Sequence, residues 1–276
     1  MNTKIVSVAW LNENLTKPNT IILDASLASK KTNLSPSHQL LQIKGARHFD
    51  FKNRFSDSSS SFPNMLPSPE KFQDECQKLG INKQSEIIVY DNSGIYSSPR
   101  VWWMFNTMGF KNIRVLDGGF PAWLKNNYPT ETKKEKRYDA GDFTSDFQPE
   151  FVKNTLQIKQ NIETEKWLVV DARSAGRFNK LEPEPRAGLR GGNIPKSVNL
   201  PFVNVLENGM FKSKQEIKQE LDKLHIGNKA LVFSCGSGIT ACIILLAAEL
   251  VLKNKKAVYD GSWTEWAQIT TENEFL

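Results

Sequence analysis

One cysteine in this 276-residue chain stands where a thiol could act as a nucleophile. Cys235 follows the apolar run Ala230–Ser234 and precedes a longer apolar run that begins at Ile239, so it is expected in a turn between a strand and a helix. Gly236-Ser237-Gly238 lies between the two runs. Glycines leave out the Cβ atoms that would block a concave turn, and the backbone N–H groups of Gly236, Ser237, Gly238, Ile239 and Thr240 are then free to converge on one point. The start of the helix adds its own unsatisfied N–H groups and the positive end of its macrodipole. Thiols in such positions have pKa values of about 3.5–7.5, against about 8.5 for a free cysteine. The expected chemistry is nucleophilic attack by a thiolate at neutral pH without a histidine partner. The plainer alternative is a buried structural cysteine at a glycine-rich turn. Cys242, within the apolar helix run, and Cys76, in the stretch PEKFQDECQKLG, read as inert packing. A cysteine phosphatase would need an arginine six positions after its nucleophile to clamp phosphate, and here that position is Ala241.

The elements that must position Cys235 occur twice. Ile21-Ile-Leu-Asp24 resembles Leu168-Val-Val-Asp171. Ile87-Ile-Val-Tyr-Asp91-Asn-Ser-Gly94 resembles Leu231-Val-Phe-Ser-Cys235-Gly-Ser-Gly238, and Asp117-Gly-Gly-Phe-Pro-Ala-Trp123 resembles Asp260-Gly-Ser-Trp-Thr-Glu-Trp266. The offsets of 147, 144 and 143 residues are nearly constant, so two homologous halves are expected. We read domains over 1–130 and 149–276, with a polar linker over 131–148 that carries Lys133, Lys134, Lys136 and Arg137. In the second half, Trp167–Asp171, Ser197–Leu200, Ala230–Ser234 and Ala257–Tyr259 are continuous apolar runs that suit strands covered on both faces. Glu150–Glu163, Ser213–Leu224 and Ile239–Lys253 have helical patterns, and Ser213 stands three residues before Glu216, a capping-box spacing. Alternation of strand and helix predicts an α/β fold with a mostly parallel sheet flanked by helices in each half. Ligands of such sheets bind beyond the carboxyl ends of the strands, where Asp91 and Cys235 fall.

With these residues in place, the chain resembles the two-domain sulfurtransferases of the rhodanese superfamily over essentially its whole length. Cys235-Gly-Ser-Gly-Ile-Thr240 is similar to their active loop, and Tyr259-Asp-Gly-Ser-Trp-Thr-Glu-Trp266 to their C-terminal signature. The uncharged loop resembles the 3-mercaptopyruvate branch, because thiosulfate-specific members carry basic residues there. The stretch Asp171-Ala-Arg-Ser-Ala-Gly-Arg177 to Glu182-Pro-Glu-Pro-Arg186 resembles the branch's substrate-binding segment, which implies that Arg177 and Arg186 hold the donor's carboxylate and keto groups. The resemblance implies two tandem rhodanese-like domains, the second catalytic and the first silent, since Asp91 replaces the cysteine. It also implies a Cys235 persulfide, with Cys235 and Ser237 as catalytic groups. The donor would be 3-mercaptopyruvate or, alternatively, thiosulfate, and the acceptor cyanide or a thiol such as thioredoxin. A non-catalytic binding module is the third reading. Some relatives place an Asp and a His near the loop serine; the matching positions here are Lys52 and Asn64, so no complete Ser-His-Asp relay is expected. Gln42-Ile-Lys-Gly45 and Asn193-Ile-Pro-Lys196 depart from the family's His-Ile-Pro-Gly turn.

Composition sets bounds on this reading. Hydrophobic residues make up 39% and charged residues 24%, which excludes wholesale disorder. Three scattered cysteines and three histidines exclude a disulfide framework and make a structural zinc site improbable, and neither metal nor organic cofactor is expected. The net charge of +6 is too small and too localised for nucleic acid. The longest apolar run, Ile239–Leu252, is shorter than the roughly 20 residues of a membrane span. The N-terminal MNTKIVSVAWLNENL has no sustained apolar core, so a soluble, cytoplasmic protein is expected.

Overall fold

Five-residue runs dominated by Ile, Val and Leu form the central strands of two sheets, because branched side chains pack well on a pleated surface buried on both sides. The computed structural model describes residues 3–27, 34–271 and 274. The chain divides into two compact units. One contains residues 1–58, 66–148 and 208–211, and the other contains 59–65, 149–207 and 212–276.

The first unit carries the parallel sheet Ile5–Val6, Ile113–Leu116, Glu86–Tyr90, Thr20–Asp24, Arg47–His48, in that spatial order. The second carries Val152–Lys153, Lys256–Tyr259, Ala230–Ser234, Trp167–Asp171, Val198–Asn199. Both sheets are five-stranded, and corresponding strands occupy corresponding places, so the internal repeat of the sequence is a repeat of topology. Helices flank each sheet. In the second unit they are Thr155–Thr164, Ala175–Phe178, Lys214–Asp222, Ala241–Val251 and Ser262–Ile269. No helix among the described residues is long and apolar enough to cross a membrane.

Capping residues set several boundaries. Ser213 and Glu216 form the capping box that their spacing predicts. The helix expected over Glu150–Glu163 begins only at Thr155. Asn154 and Gln157 exchange side-chain-to-backbone hydrogen bonds there, while Val152–Lys153 pairs with Val258–Tyr259 as an edge strand. The helix expected from Ile239 begins at Ala241, because Gly238 has φ +77° and residues 236–240 remain a loop. Residues 133–148 are irregular and belong to the first unit, where Phe143 is buried among the rings of Phe72, Phe105 and Phe110. Lys133 reaches Asp24 at 3.3 Å. Lys196 adopts φ +59° where the first copy of the turn has Gly45 at +81°, so the turn keeps its geometry with a lysine at a cost of about 1 kcal/mol.

The first unit's strand–helix loop shows what this turn does. Asp91 follows the strand Glu86–Tyr90 and is 1% exposed. One carboxylate oxygen accepts the N–H of Ser93. The other accepts the N–H groups of Tyr96, Ser97 and Ser98, each at 2.9 Å, and the Ser98 hydroxyl at 2.7 Å. Burial pushes the Asp91 carboxyl up, while the Ser98, Tyr96 and Ser93 donors pull it back. The loop is thus an amide cradle closed around an anion that the chain itself supplies. Asp91→Ala would strand those buried donors, and we expect it to lower stability by about 1–3 kcal/mol. An unchanged urea midpoint would show that the cradle does not need its carboxylate.

Candidate active site

In the second unit the same loop carries Cys235, 2% exposed, at the end of Ala230–Ser234. The helix Ser262–Ile269 fixes the loop's orientation. The N–H of Trp263 donates to the Cys235 carbonyl at 2.9 Å, and the N–H and hydroxyl of Thr264 donate to the Gly236 carbonyl at 3.0 and 2.5 Å. In a trans peptide the C=O and the following N–H point in opposite directions. The N–H groups of Gly236 and Ser237 therefore face away from this helix. The N–H of Cys235 itself donates to Ser262 Oγ at 3.1 Å, and the Ser262 hydroxyl donates to the Tyr259 carbonyl at 2.9 Å. Ser262 makes both bonds from a left-handed backbone, φ +52°, at the position where the first unit has Gly119 at +50°.

Arg177 and Arg186 both reach this loop. A Cβ placed on Gly236 would lie 3.0 Å from Arg177 Nη2 and 3.8 Å from Arg186 Nη1, so the glycine is what lets the guanidinium groups approach the backbone. Arg186 donates through Nη1 to Thr264 Oγ1 at 3.2 Å and through Nη2 to Ser237 Oγ at 3.1 Å. Ser237, 9% exposed, also accepts from Asn64 Nδ2 at 2.9 Å. Arg177 sits in the one-turn helix Ala175–Phe178, started by Ser174. Its Nε and Nη2 donate to Glu184 Oε1 at 3.2 Å and Oε2 at 2.5 Å.

Glu184 is shared. Its Oε1 also accepts from Arg173 Nη1 at 2.7 Å, and Arg173 in turn grips Asp171 through Nε and Nη2 and the Gly192 carbonyl through Nη2. The ring of Trp263 lies 4.6 Å from the Arg173 guanidinium. Burial alone would lower the Arg173 pKa, but the carboxylates of Asp171 and Glu184 outweigh it and hold it above the ordinary value.

The structure therefore gathers Cys235, Gly236, Ser237, Arg177 and Arg186 in one place, with Gly238, Ile239 and Thr240 completing the turn into the helix Ala241–Val251. Cys242 lies buried in that helix, its thiol 3.3 Å from the Gly238 carbonyl, and Cys76 is buried in the first unit, where burial pushes its thiol well up. Sequence reasoning did not single out Glu184, Arg173, Ser262 or Thr264. The last two lie within the segment that carries the C-terminal resemblance, which is the signal that could have found them. Lys52 belongs to the first unit and Asn64 to the second.

Comparison with known proteins identifies the family. Residues 7–126 and 155–269 each match the rhodanese-like domain. The mouse 3-mercaptopyruvate sulfurtransferase is 40% identical over 272 residues, covering 95% of this chain and 91% of the mouse protein. The rat thiosulfate sulfurtransferase is 38% identical over 272 residues, covering 95% of this chain and 91% of the rat protein. The crystal structure of SseA from Escherichia coli, one of the 3-mercaptopyruvate sulfotransferases, superposes with a TM-score of 0.82 at 32% identity, covering 95% of this chain and 99% of that one. With both halves matched and the strand order repeated, the chain belongs to the rhodanese-like family as a tandem of two such domains.

Proposed function

We propose that the protein is a sulfurtransferase that takes sulfur from 3-mercaptopyruvate, holds it as a Cys235 persulfide and passes it to a thiol or to cyanide. The observation that carries this reading is the pair of equivalent loops. In the first unit the turn encloses a carboxylate with backbone N–H groups, and in the second Cys235 occupies the equivalent position in a loop whose Gly236 two guanidinium groups approach.

In this mechanism Arg177 and Arg186 receive the donor's carboxylate and keto oxygen, for which guanidinium forks are suited. The Cys235 thiolate attacks the donor's sulfur. A sulfur–sulfur bond forms as the carbon–sulfur bond breaks, and the bonding electrons leave on the carbon as pyruvate enolate, which takes up a proton to give pyruvate. The amides from Gly236 to Thr240 stabilise the persulfide anion as an oxyanion hole would. An acceptor thiolate, thioredoxin's among the candidates, then attacks the outer sulfur and releases the Cys235 thiolate, a ping-pong cycle. All three cysteines are free, which fits a reducing compartment such as the cytoplasm.

Thiosulfate is the second donor to consider, because the similar rat protein is named for it. Cys235→Ser should abolish pyruvate release and the mass gain of one sulfur atom in the donor-treated protein; pyruvate release at the wild-type rate would refute the mechanism. Arg177→Ala, which removes a charge-assisted fork, should reduce kcat/KM for 3-mercaptopyruvate by roughly 10- to 100-fold. An unchanged value in steady-state kinetics would remove Arg177 from the donor site.

A further inference from the structure

Four charged side chains in the second unit form an unbroken line: Asp171, Arg173, Glu184 and Arg177. Adjacent members are 2.5–2.7 Å apart at their closest atoms. The side chains of Arg173 and Glu184 are fully buried, while that of Arg177 is 21% exposed at the end nearest the cysteine loop. Two carboxylates and two guanidinium groups cancel. Arg186, whose bonds run to the neutral Thr264 and Ser237, brings a positive charge to the loop that neither partner offsets. Glu184 takes the Nε edge of Arg177, so the Nη1–Nη2 end is the part presented to a ligand.

We propose that Glu184 is a specificity-determining residue of the donor site: by pairing with Arg177 it offsets that residue's positive charge and so selects mono-anionic donors over dianionic ones. This rests on the reading that Arg177 and Arg186 receive the donor. A mono-anionic α-keto acid matches the surplus charge and uses the fork of Arg177 for geometry. A dianion such as thiosulfate brings a second charge that finds Glu184 opposing it in a buried setting, where charge–charge terms are weakly screened. The loop adds nothing to offset this, because residues 236–240 carry no charge. Selectivity thus comes from a carboxylate that need not touch the substrate.

The test is the ratio of kcat/KM for thiosulfate to kcat/KM for 3-mercaptopyruvate in wild type, Glu184→Gln and Glu184→Asp. The Gln variant keeps the shape and removes the charge, and we expect the ratio to rise by roughly tenfold or more. The Asp variant keeps the charge and should restore the wild-type ratio even if both activities fall. Parallel loss for both donors in Glu184→Gln, with the ratio unchanged, would reduce Glu184 to a structural support and overturn the proposal. If the Gln variant does not fold, inhibition of the wild type decides. Pyruvate should compete with 3-mercaptopyruvate at lower concentration than sulfate does, and the reverse order would overturn the proposal. A wild type that forms no sulfur-loaded Cys235 from either donor would instead sink the underlying sulfurtransferase reading, a result distinct from all of these.

Discussion

Three hydrogen bonds from one helix to two carbonyls of one loop govern the site. Because Trp263 and Thr264 hold the carbonyls of Cys235 and Gly236, the two peptides that follow the cysteine cannot rotate, and their N–H groups stay on the far side. Ser262 makes the approach possible, at a left-handed φ that costs a non-glycine residue roughly 1–2 kcal/mol, and offsets the strain by bonding the Cys235 N–H and the Tyr259 carbonyl. The first unit has a counterpart for only one of these carbonyl contacts, since Pro121 stands in place of Thr264 and has no N–H to donate. In the first unit the N–H of Phe120 donates to the Asp91 carbonyl, and the amides close on the Asp91 carboxylate. The closed cradle is seen around Asp91. What differs between the copies is the residue at this position and the charges brought beside the loop.

Those charges are organised by burial. Arg173 is a fully enclosed cation, satisfied by Asp171, Glu184, the Gly192 carbonyl and the face of Trp263. Removing one member of such a group leaves an uncompensated buried charge and costs about 3–5 kcal/mol, so the line cannot be remodelled cheaply. That rigidity has a chemical consequence. Arg177 reaches the cysteine loop with one edge already committed to Glu184, which fixes its orientation. Trp263 links the two systems, since its backbone N–H holds the loop and its ring covers Arg173.

Much of this was legible in the chain. Continuous apolar runs located Trp167–Asp171 and Ala230–Ser234 to the residue, because strands covered on both faces leave that trace. The capping pair Ser213 and Glu216 marked the start of the helix Lys214–Asp222. The edge strand Val152–Lys153 was not legible: two residues are too few to show a period, and helical residues follow directly. Nor was Glu184. In the sequence it is one of two glutamates in a polar, proline-rich stretch, and only the tertiary fold shows that it is buried between two arginines while Glu182 bonds Ser174. Ser262 and Thr264 act on residues nearly thirty positions earlier, a separation that local patterns do not register.

The hydrogen bonds at Ser237 constrain its part in the proposed reaction. Its hydroxyl oxygen accepts from Asn64 Nδ2 and from Arg186 Nη2, so both lone pairs are engaged. The hydroxyl hydrogen is what remains, and the group acts as a donor. Neither neighbour can take a proton: an amide does not titrate in this range, and a guanidinium stays protonated. A relay that draws a proton off the serine would need a base at the position Asn64 occupies. In the proposed reaction the serine is thus a hydrogen-bond donor and not a base. The proton that converts enolate to pyruvate must then come from solvent or from the persulfide formed in the same step.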